Sequence, residues 1–198
     1  LKNASIKDIT LKIDNLNILS KIFKKLNLTE DQKKYITPLI DKSLFEELYN
    51  ALQDFNIDNK EITNFLEILQ TSDIKKIKEY IDNENEIKEE IKKLEKITTF
   101  IKESFKIKDF EIKMNIVRGL DYYEGIVFEI EAPKLGAEKQ ICGGGAYELV
   151  SLFEGRKTPT SGFAIGFDRV LLALETEKYN FPDITIDSYI IPINDEMI

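Results

Sequence analysis

Residues 118–125 read RGLDYYEG, and an apolar, alternating stretch follows at Ile126, Val127, Phe128 and Ile130. Alternation with a period of two is typical of a strand with one buried face, so this segment predicts a polar and aromatic cluster at the start of a half-buried strand. An arginine fork suits a carboxylate or a phosphate, and tyrosines offer ring walls that carry a hydroxyl group. We therefore expect a ligand site where this strand begins.

Two further motifs follow in the same region. Residues 141–150 read ICGGGAYELV, and residues 161–175 read SGFAIGFDRVLLALE. Three adjacent glycines permit a positive φ or a very close approach of the main chain to a ligand, although a triple glycine alone is often only a turn. Residues 161–175 predict a strand that passes into a helix over 167–177, and the free N-terminal amides of this helix suit an anion. We expect the buried face of this helix to carry Val170, Leu171 and Leu174.

In their order and wording, the three motifs resemble the signatures of the histidyl-tRNA synthetases, which are class II aminoacyl-tRNA synthetases. The two histidine signatures of that family read RGLDYY and GGGxY, and its third class motif reads GFAxGx(D/E)R. The wording GGGAYELV is closer to archaeal members than to bacterial ones, which usually have RYDG at this point. The resemblance covers residues 108–193 closely. It implies an α+β fold with a class II antiparallel sheet and flanking helices, interrupted by an all-helical insertion.

The resemblance assigns Arg118 to catalysis, where it would contact the carboxylate of histidine and the α-phosphate of ATP. A fixed guanidinium offsets the negative charge that builds on the phosphate oxygens in the transition state. A structural salt bridge of Arg118 with Asp121 or Glu129 is the alternative. Tyr122 and Tyr123 would contribute to the histidine pocket, although neighbours on a regular strand face opposite sides. Tyr123 is the preferred partner of the imidazole ring.

The other two signatures imply further binding residues. Tyr147 would help to close the histidine pocket, and Ala146, which is commonly arginine in bacterial members, receives no role in charge recognition. Arg169 would stack on the adenine of ATP and reach its terminal phosphate, two tasks that suit a planar cation. Asp168 has a simpler interpretation as a favourable charge in a first helical turn. The pocket floor is assigned to Gly143, Gly144 and Gly145, and ATP binding to Gly166 and Arg169.

The organisation of the chain changes twice. Residues 6–14 alternate as a strand, and Asn15 is a plausible N-cap for a helix through Leu26. Residues 29–106 contain no glycine and a single proline, repeat apolar positions every three or four residues, and open with the capping-box pattern TEDQ. We predict a catalytic-core segment at 1–28, a helical insertion at 29–106, the core with its signatures at 107–182, and the start of an anticodon-binding domain at 183–198.

In the resembling family, a helical insertion of this kind is implicated in contacts with the tRNA acceptor arm. Residues 29–106 hold 13 lysines against 18 acidic residues, so their charge does not support that role independently, and a solvated helical bundle remains equally open. The whole chain carries a net charge of −8, which speaks against a sequence-indifferent nucleic-acid binder. A local tRNA contact remains compatible with this charge.

Composition excludes several classes of chemistry. The chain has no histidine and one cysteine, Cys142, so it offers neither histidine-based acid/base catalysis nor an internal disulfide, and we expect no metal site. Cys142 is interpreted as strand packing. No apolar run approaches the roughly 20 residues of a membrane span, and no signal peptide is evident at the N-terminus. We expect a cytoplasmic protein.

The implied function is a part of an enzyme that activates histidine with ATP and transfers it to tRNA(His). Its partners would be histidine, ATP with Mg²⁺ as a substrate complex, tRNA(His) and a second copy in a full-length homodimer, with no tightly bound cofactor. No methionine precedes Met114, so we expect a piece of a longer protein that lacks the first two class motifs and is inactive alone. The alternative is a synthetase-like regulatory subunit of ATP phosphoribosyltransferase, a paralogue that usually has blurred signatures and no insertion.

Overall fold

A computed structural model describes residues 6–80, 85–117, 123–182 and 188. The strands are β1 (Thr10–Asn15), β2 (Phe110–Ile112), β3 (Tyr123–Glu131), β4 (Gln140–Tyr147) and β5 (Thr160–Ile165). The helices are α1 (Leu16–Lys25), α2 (Glu30–Asp41), α3 (Phe45–Asp54), α4 (Asn59–Gln70), α5 (Ile74–Tyr80), α6 (Asn85–Ser104) and α7 (Phe167–Thr176). Two 3₁₀ segments, Pro133–Glu138 and Val150–Phe153, follow β3 and β4.

The five strands form one sheet in the order β2-β1-β3-β4-β5. The α+β class is confirmed, but the sheet is mixed, because β2 runs parallel to β1 while the other pairs are antiparallel. A parallel neighbour requires a long crossover connection. The chain supplies one, since helices α1–α6 lie between β1 and β2.

The sequence predicted the local signals around α1 and α2 well. Asn15 caps α1 by accepting a hydrogen bond from the backbone N–H of Asn17 at 3.1 Å. Thr29 and Gln32 form the reciprocal capping box that opens α2, with donor–acceptor distances of 2.9 and 3.3 Å. The first strand begins later than expected, at Thr10, because the N–H groups of the preceding residues donate to the carboxylate of Glu177 instead of to a strand.

Helices α1–α6 share one apolar core on one face of the sheet, where α1 and α6 contact the strands directly. Their apolar side chains form a single core with Ile13 of β1 and extend to Ile126 and Phe128 of β3. This core is continuous across residue 29, so the helices of the predicted insertion share their packing with α1. The division into domains at that residue stays a prediction, and the predicted segment at 183–198 lies outside the described residues apart from residue 188.

Helix α7 packs on a second, smaller cluster that includes Ile6, Ala132 and Ile141. Leu174 of α7 is buried as expected. Val170 and Leu171 are only half-buried, because this cluster is small and leaves part of the helix in contact with solvent. Across the described residues, no helix is long and apolar enough to cross a membrane.

Candidate active site

Strand alternation sorts the central side chains onto two faces of the sheet. The cross-strand register places Gly143 opposite Glu129 and Ala164, and Gly145 opposite Val127 and Gly162. Because side chains of one strand alternate between faces, Tyr147 lies on the same face as both of these glycines. We call this surface the glycine face, which comprises Lys12, Asp14, Val127, Glu129, Gly143, Gly145, Tyr147, Gly162 and Ala164. The opposite surface, the helix face, packs on α1 and α6.

Tyr123 and Tyr147 meet at one end of the glycine face. They are paired across β3 and β4, and their ring centroids lie 6.1 Å apart with the planes at 89°. The ladder shifts between Tyr123 and Val127, where Gly125 has a φ of 74°. A bulge of this kind redirects side chains locally, and glycine adopts the left-handed conformation without strain. The two rings therefore stand edge to face as one aromatic wall.

Gly162 leaves room for that wall. A Cβ built on Gly162 would lie 3.1 Å from the hydroxyl oxygen of Tyr147. Because Gly162 has no side chain, the Tyr147 ring can extend over β5.

Gly144 and Gly145 are required by strand packing. A Cβ on Gly144 would lie 2.2 Å from the carbonyl oxygen of Gly162, on the helix face and away from Tyr147. A Cβ on Gly145 would lie 2.7 Å from Cγ1 of Val127 on the glycine face. Close packing of β3, β4 and β5 thus explains two of the three glycines without a ligand. The role of Gly143, Gly144 and Gly145 in binding histidine stays a prediction.

Arg169 lies at the other end of β4. It occupies the first turn of α7, after the N-cap residue Gly166, and its guanidinium donates to the carbonyl oxygen of Gln140 at 2.7 Å and to the carboxylate of Glu138. A small cavity of about 210 Å³ here is lined by Arg169, Gly166, Ala164 and residues 140–143. The third-motif arginine is therefore partly exposed beside Gly143, and an acidic side chain already holds it.

Arg118 and Tyr122 lie outside the described residues. The chain on the N-terminal side of them is described up to Val117, and on the other side from Tyr123. Their predicted contacts with histidine and ATP stay predictions.

Sequence reasoning missed a buried carboxyl group, that of Asp14. Its side chain is fully buried, and burial raises its pKa to about 8, although hydrogen bonds from the N–H groups of Ile116 and Asn15 act in the opposite direction. The negative charge of Glu129 raises this pKa further. No sequence signal identifies it, because Asp14 shares the polar phase of the strand alternation with Thr10 and Lys12 and so looks like an exposed acid.

A second missed feature is a polar network that joins α6 to the start of α1. The amide nitrogen of Asn15 donates to the carboxylate of Glu90 at 3.0 Å, and that of Asn17 donates to it at 3.2 Å. Lys93 forms an ion pair with the other oxygen of Glu90 at 2.7 Å. Burial raises the pKa of Glu90, but the bonds from Lys93, Asn15 and Asn17 together outweigh it and hold this pKa below its ordinary value. The network lies beside Gly125, since a Cβ there would be 3.7 Å from the Asn17 amide.

An apolar cavity of about 560 Å³ lies mainly on the helix face. Ile97 of α6 lines it together with Ile126, Phe128 and Phe163. Its apolar side chains project from the face opposite Tyr147, and Gly145 and Gly162 of the glycine face also line it.

With this geometry, the chain can be compared with known proteins. A sequence profile described as histidyl-tRNA synthetase matches residues 1–170. The chain belongs to the histidyl-tRNA synthetase family. Among its relatives is the histidine–tRNA ligase of Methanococcus aeolicus, 38% identical over an alignment of 178 positions that covers 85% of this chain and 41% of that protein. The ligase of Archaeoglobus fulgidus is 38% identical over 181 residues, covering 89% and 42% of the two chains. The expected resemblance to archaeal members is confirmed by these relatives.

Solved structures agree with the family assignment. Histidyl-tRNA synthetase from Nostoc sp. PCC 7120 superposes with a TM-score of 0.76 at 26% identity, over 89% of this chain and 44% of that one. A Bacillus halodurans protein described as an ATP phosphoribosyltransferase regulatory subunit/histidyl-tRNA synthetase has a TM-score of 0.77 at 17% identity, over 87% and 46% of the two chains, which shows a shared fold alone. The chain spans less than half the length of the relatives it matches.

Proposed function

We propose that this chain is part of an ATP-dependent histidine–tRNA ligase. The observation that carries the proposal is the match of the histidyl-tRNA synthetase profile across residues 1–170, which includes all three motifs up to Arg169. The arrangement of the glycine face supports it, because an aromatic wall and a cationic helix start lie near opposite ends of β4. Gly143 and Tyr147 are separated by about 13 Å at roughly 3.3 Å per residue. That span suits an amino acid and a nucleotide bound end to end.

The proposed reaction begins with attack of a histidine carboxylate oxygen on the α-phosphorus of ATP. The bond to the bridging oxygen breaks, pyrophosphate leaves, and histidyl-adenylate remains. A terminal hydroxyl of tRNA(His) then attacks the carbonyl carbon, and AMP leaves. Arg118 would stabilise charge on the α-phosphate in the first step, since a preorganised cation requires no reorganisation when that charge develops.

The tyrosines would provide specificity for histidine. A buried hydroxyl that bonds an imidazole nitrogen is left unpaired by an apolar analogue, so the analogue is rejected. Tyr123 would make this bond, with Tyr122 and Tyr147 completing the pocket above Gly143–Gly145. The edge-to-face contact of Tyr123 and Tyr147 already brings the two rings together before a ligand arrives.

Arg169 and Gly166 would bind ATP, which enters as its Mg²⁺ complex. The guanidinium would stack on adenine and contact the terminal phosphate. Its ion pair with Glu138 must be replaced when ATP binds, so Glu138 holds the guanidinium in place in the unliganded protein. We further expect a homodimeric enzyme located in the cytoplasm, where its three substrates meet.

The test is amino-acid-dependent exchange of pyrophosphate into ATP by the longer protein that contains this chain. Histidine should support exchange, and the other amino acids should not. Exchange with a different amino acid would exclude the assigned specificity. The absence of exchange with any amino acid would favour the regulatory-subunit alternative.

A further inference from the structure

Asp14 joins two segments that are far apart in sequence. Its Oδ2 atom accepts a hydrogen bond from the backbone N–H of Ile116 at 3.1 Å, across 102 positions. Its Oδ1 atom accepts from the N–H of Asn15 at 2.6 Å. The side chain is completely buried. A buried acceptor that satisfies a distant backbone donor fixes that donor, because breaking the contact would leave both groups without water or a partner.

The segment that Asp14 holds is already ordered on both sides of the contact. The N–H of Lys113 donates to the carbonyl oxygen of Ile13 at 2.9 Å, which extends the pairing of β1 and β2 by one bond. Met114 and Ile116 are buried, and the N–H of Val117 donates to the carbonyl oxygen of Asn115 at 3.1 Å. The chain is therefore fixed through residue 117. The next residue in the sequence opens the RGLDYYEG signature.

Asp14 also adjoins the strand that leaves the signature. Its register partner on β3 is Val127, four residues beyond Tyr123, and Val127 is fully buried. One carboxyl group thus contacts the chain that leads into the signature and lies beside the chain that leads out of it. The described residues place no substrate-binding side chain in contact with Asp14, so any effect on the reaction must be transmitted through these two segments.

We propose that Asp14 is a positioning residue for histidine activation, which acts by holding the Ile116 peptide and so setting where the chain enters residues 118–125. This inference rests on the proposed function. A displacement of about 1 Å at a reacting group can reduce a rate by roughly a hundredfold. Ile116 is two residues before Arg118, so a shift of the Ile116 peptide is expected to change the rate of histidine activation. The contact with Ile116 needs one carbonyl-type acceptor at the position of Oδ2, which a neutral carboxyl or an amide oxygen can supply. An amide gives up the second contact, with the N–H of the adjacent Asn15, whereas an apolar side chain supplies neither acceptor.

The test uses the longer protein with Asp14→Asn, Asp14→Leu and, as a matched control, Lys12→Met. Lys12 lies two residues away on the same face, and its substitution by methionine removes an ion pair with Glu131 whose N···O distance is 2.7 Å. Adenylate burst amplitude counts competent sites, and kcat is expressed per competent site. We expect Asp14→Leu to lower kcat at least about tenfold, with Asp14→Asn and Lys12→Met within about threefold of wild type. A purely structural role would reduce thermal stability but leave kcat per competent site unchanged, which would overturn the proposal.

The second measurement needs no catalysis and uses the 198-residue chain. The Ile116 amide ¹⁵N and ¹H shifts should titrate with the Asp14 carboxyl, whose raised pKa is about 8, and the titration should be absent in Asp14→Asn. Glu129 of β3 is the charged neighbour whose field reaches this carboxyl, so Glu129→Gln should lower the apparent pKa without abolishing the titration. If the Ile116 amide shifts did not follow the titration of Asp14, the proposed contact would be contradicted, even if Asp14→Leu failed to fold. A wild-type enzyme without exchange would instead refute the proposed function.

Discussion

Replacement of Gly144 by alanine should strongly destabilise the β4–β5 pair. The added methyl carbon would lie 2.2 Å from the Gly162 carbonyl oxygen and 2.6 Å from Cβ of Phe163. The first of these atoms is backbone, so the strands must separate by about 1 Å to restore van der Waals contact. Overpacking of this kind typically costs about 1–3 kcal/mol, and a rigid backbone contact places Gly144→Ala near 3 kcal/mol. For a chain of this size, the melting temperature should fall by about 6–12 °C.

Thermal unfolding of the 198-residue chain, followed by circular dichroism, measures this effect. Gly162→Ala is the matched control, because its Cβ meets only the end of the Tyr147 side chain at 3.1 Å, and that ring can move. Both substitutions reduce the entropy of the unfolded chain by the same amount, about 0.4–1 kcal/mol, which cancels in the comparison. If Gly144→Ala melted at or above the temperature of Gly162→Ala, the close approach of β4 and β5 would be refuted as the reason for this glycine.

Three further predictions concern charged groups. Asp14 has a folded pKa of about 8 against an ordinary value of 3.8, so its contribution to stability is full below about pH 4 and is lost as pH rises towards 8. Between pH 5 and pH 9, the free energy of unfolding measured in urea should therefore fall in wild type relative to Asp14→Asn. Glu90→Ala should lower the unfolding free energy by about 2–3 kcal/mol, because the buried Asn15 amide keeps only its bond to the backbone carbonyl of residue 90 and the half-buried Asn17 amide loses its bond to this carboxylate; the exposed neighbour Glu89→Ala should cost at most about 0.5 kcal/mol by the same denaturation assay. In the longer protein, Arg169→Ala should raise the KM for ATP in pyrophosphate exchange, and Glu138→Ala should lower it by releasing the guanidinium; a raised KM in Glu138→Ala would contradict the competition.

The sequence predicted the local elements that depend on short-range chemistry. The Thr29 capping box, the Asn15 cap and the start of α7 after Gly166 all depend on hydrogen bonds within a few residues, so they are visible in the chain itself. The α+β class was implied by the family resemblance, and the contrast between a glycine-free helical stretch and short alternating strands agrees with it. The three motifs that resemble the family signatures include residues of β3, β4 and α7, which is where the candidate site was predicted.

Features that depend on distant partners were not predicted. The parallel placement of β2 arises from a crossover of six helices, and the single core shared by α1 and α2–α6 depends on how those helices pack. The buried carboxyls of Asp14 and Glu90 look like surface acids in a sequence, because their partners Ile116 and Asn15 are 102 and 75 positions away. The glycines had a packing explanation that no pattern within β4 reveals, since the obstructing atoms belong to β3 and β5.

Single-turnover formation of histidyl-adenylate by the longer protein tests the central claim, with wild type, Arg118→Ala and Arg118→Lys compared at saturating ATP and histidine. The proposed role confines the contact of Arg118 largely to the transition state, so Arg118→Ala should slow adenylation by roughly a hundredfold or more, equivalent to about 3 kcal/mol, with little change in histidine affinity. Arg118→Lys should recover little, because an ammonium cannot span a carboxylate and a phosphate with a planar fork. Adenylate formation at the wild-type rate in Arg118→Ala, together with a collapse of histidine affinity, would contradict the account.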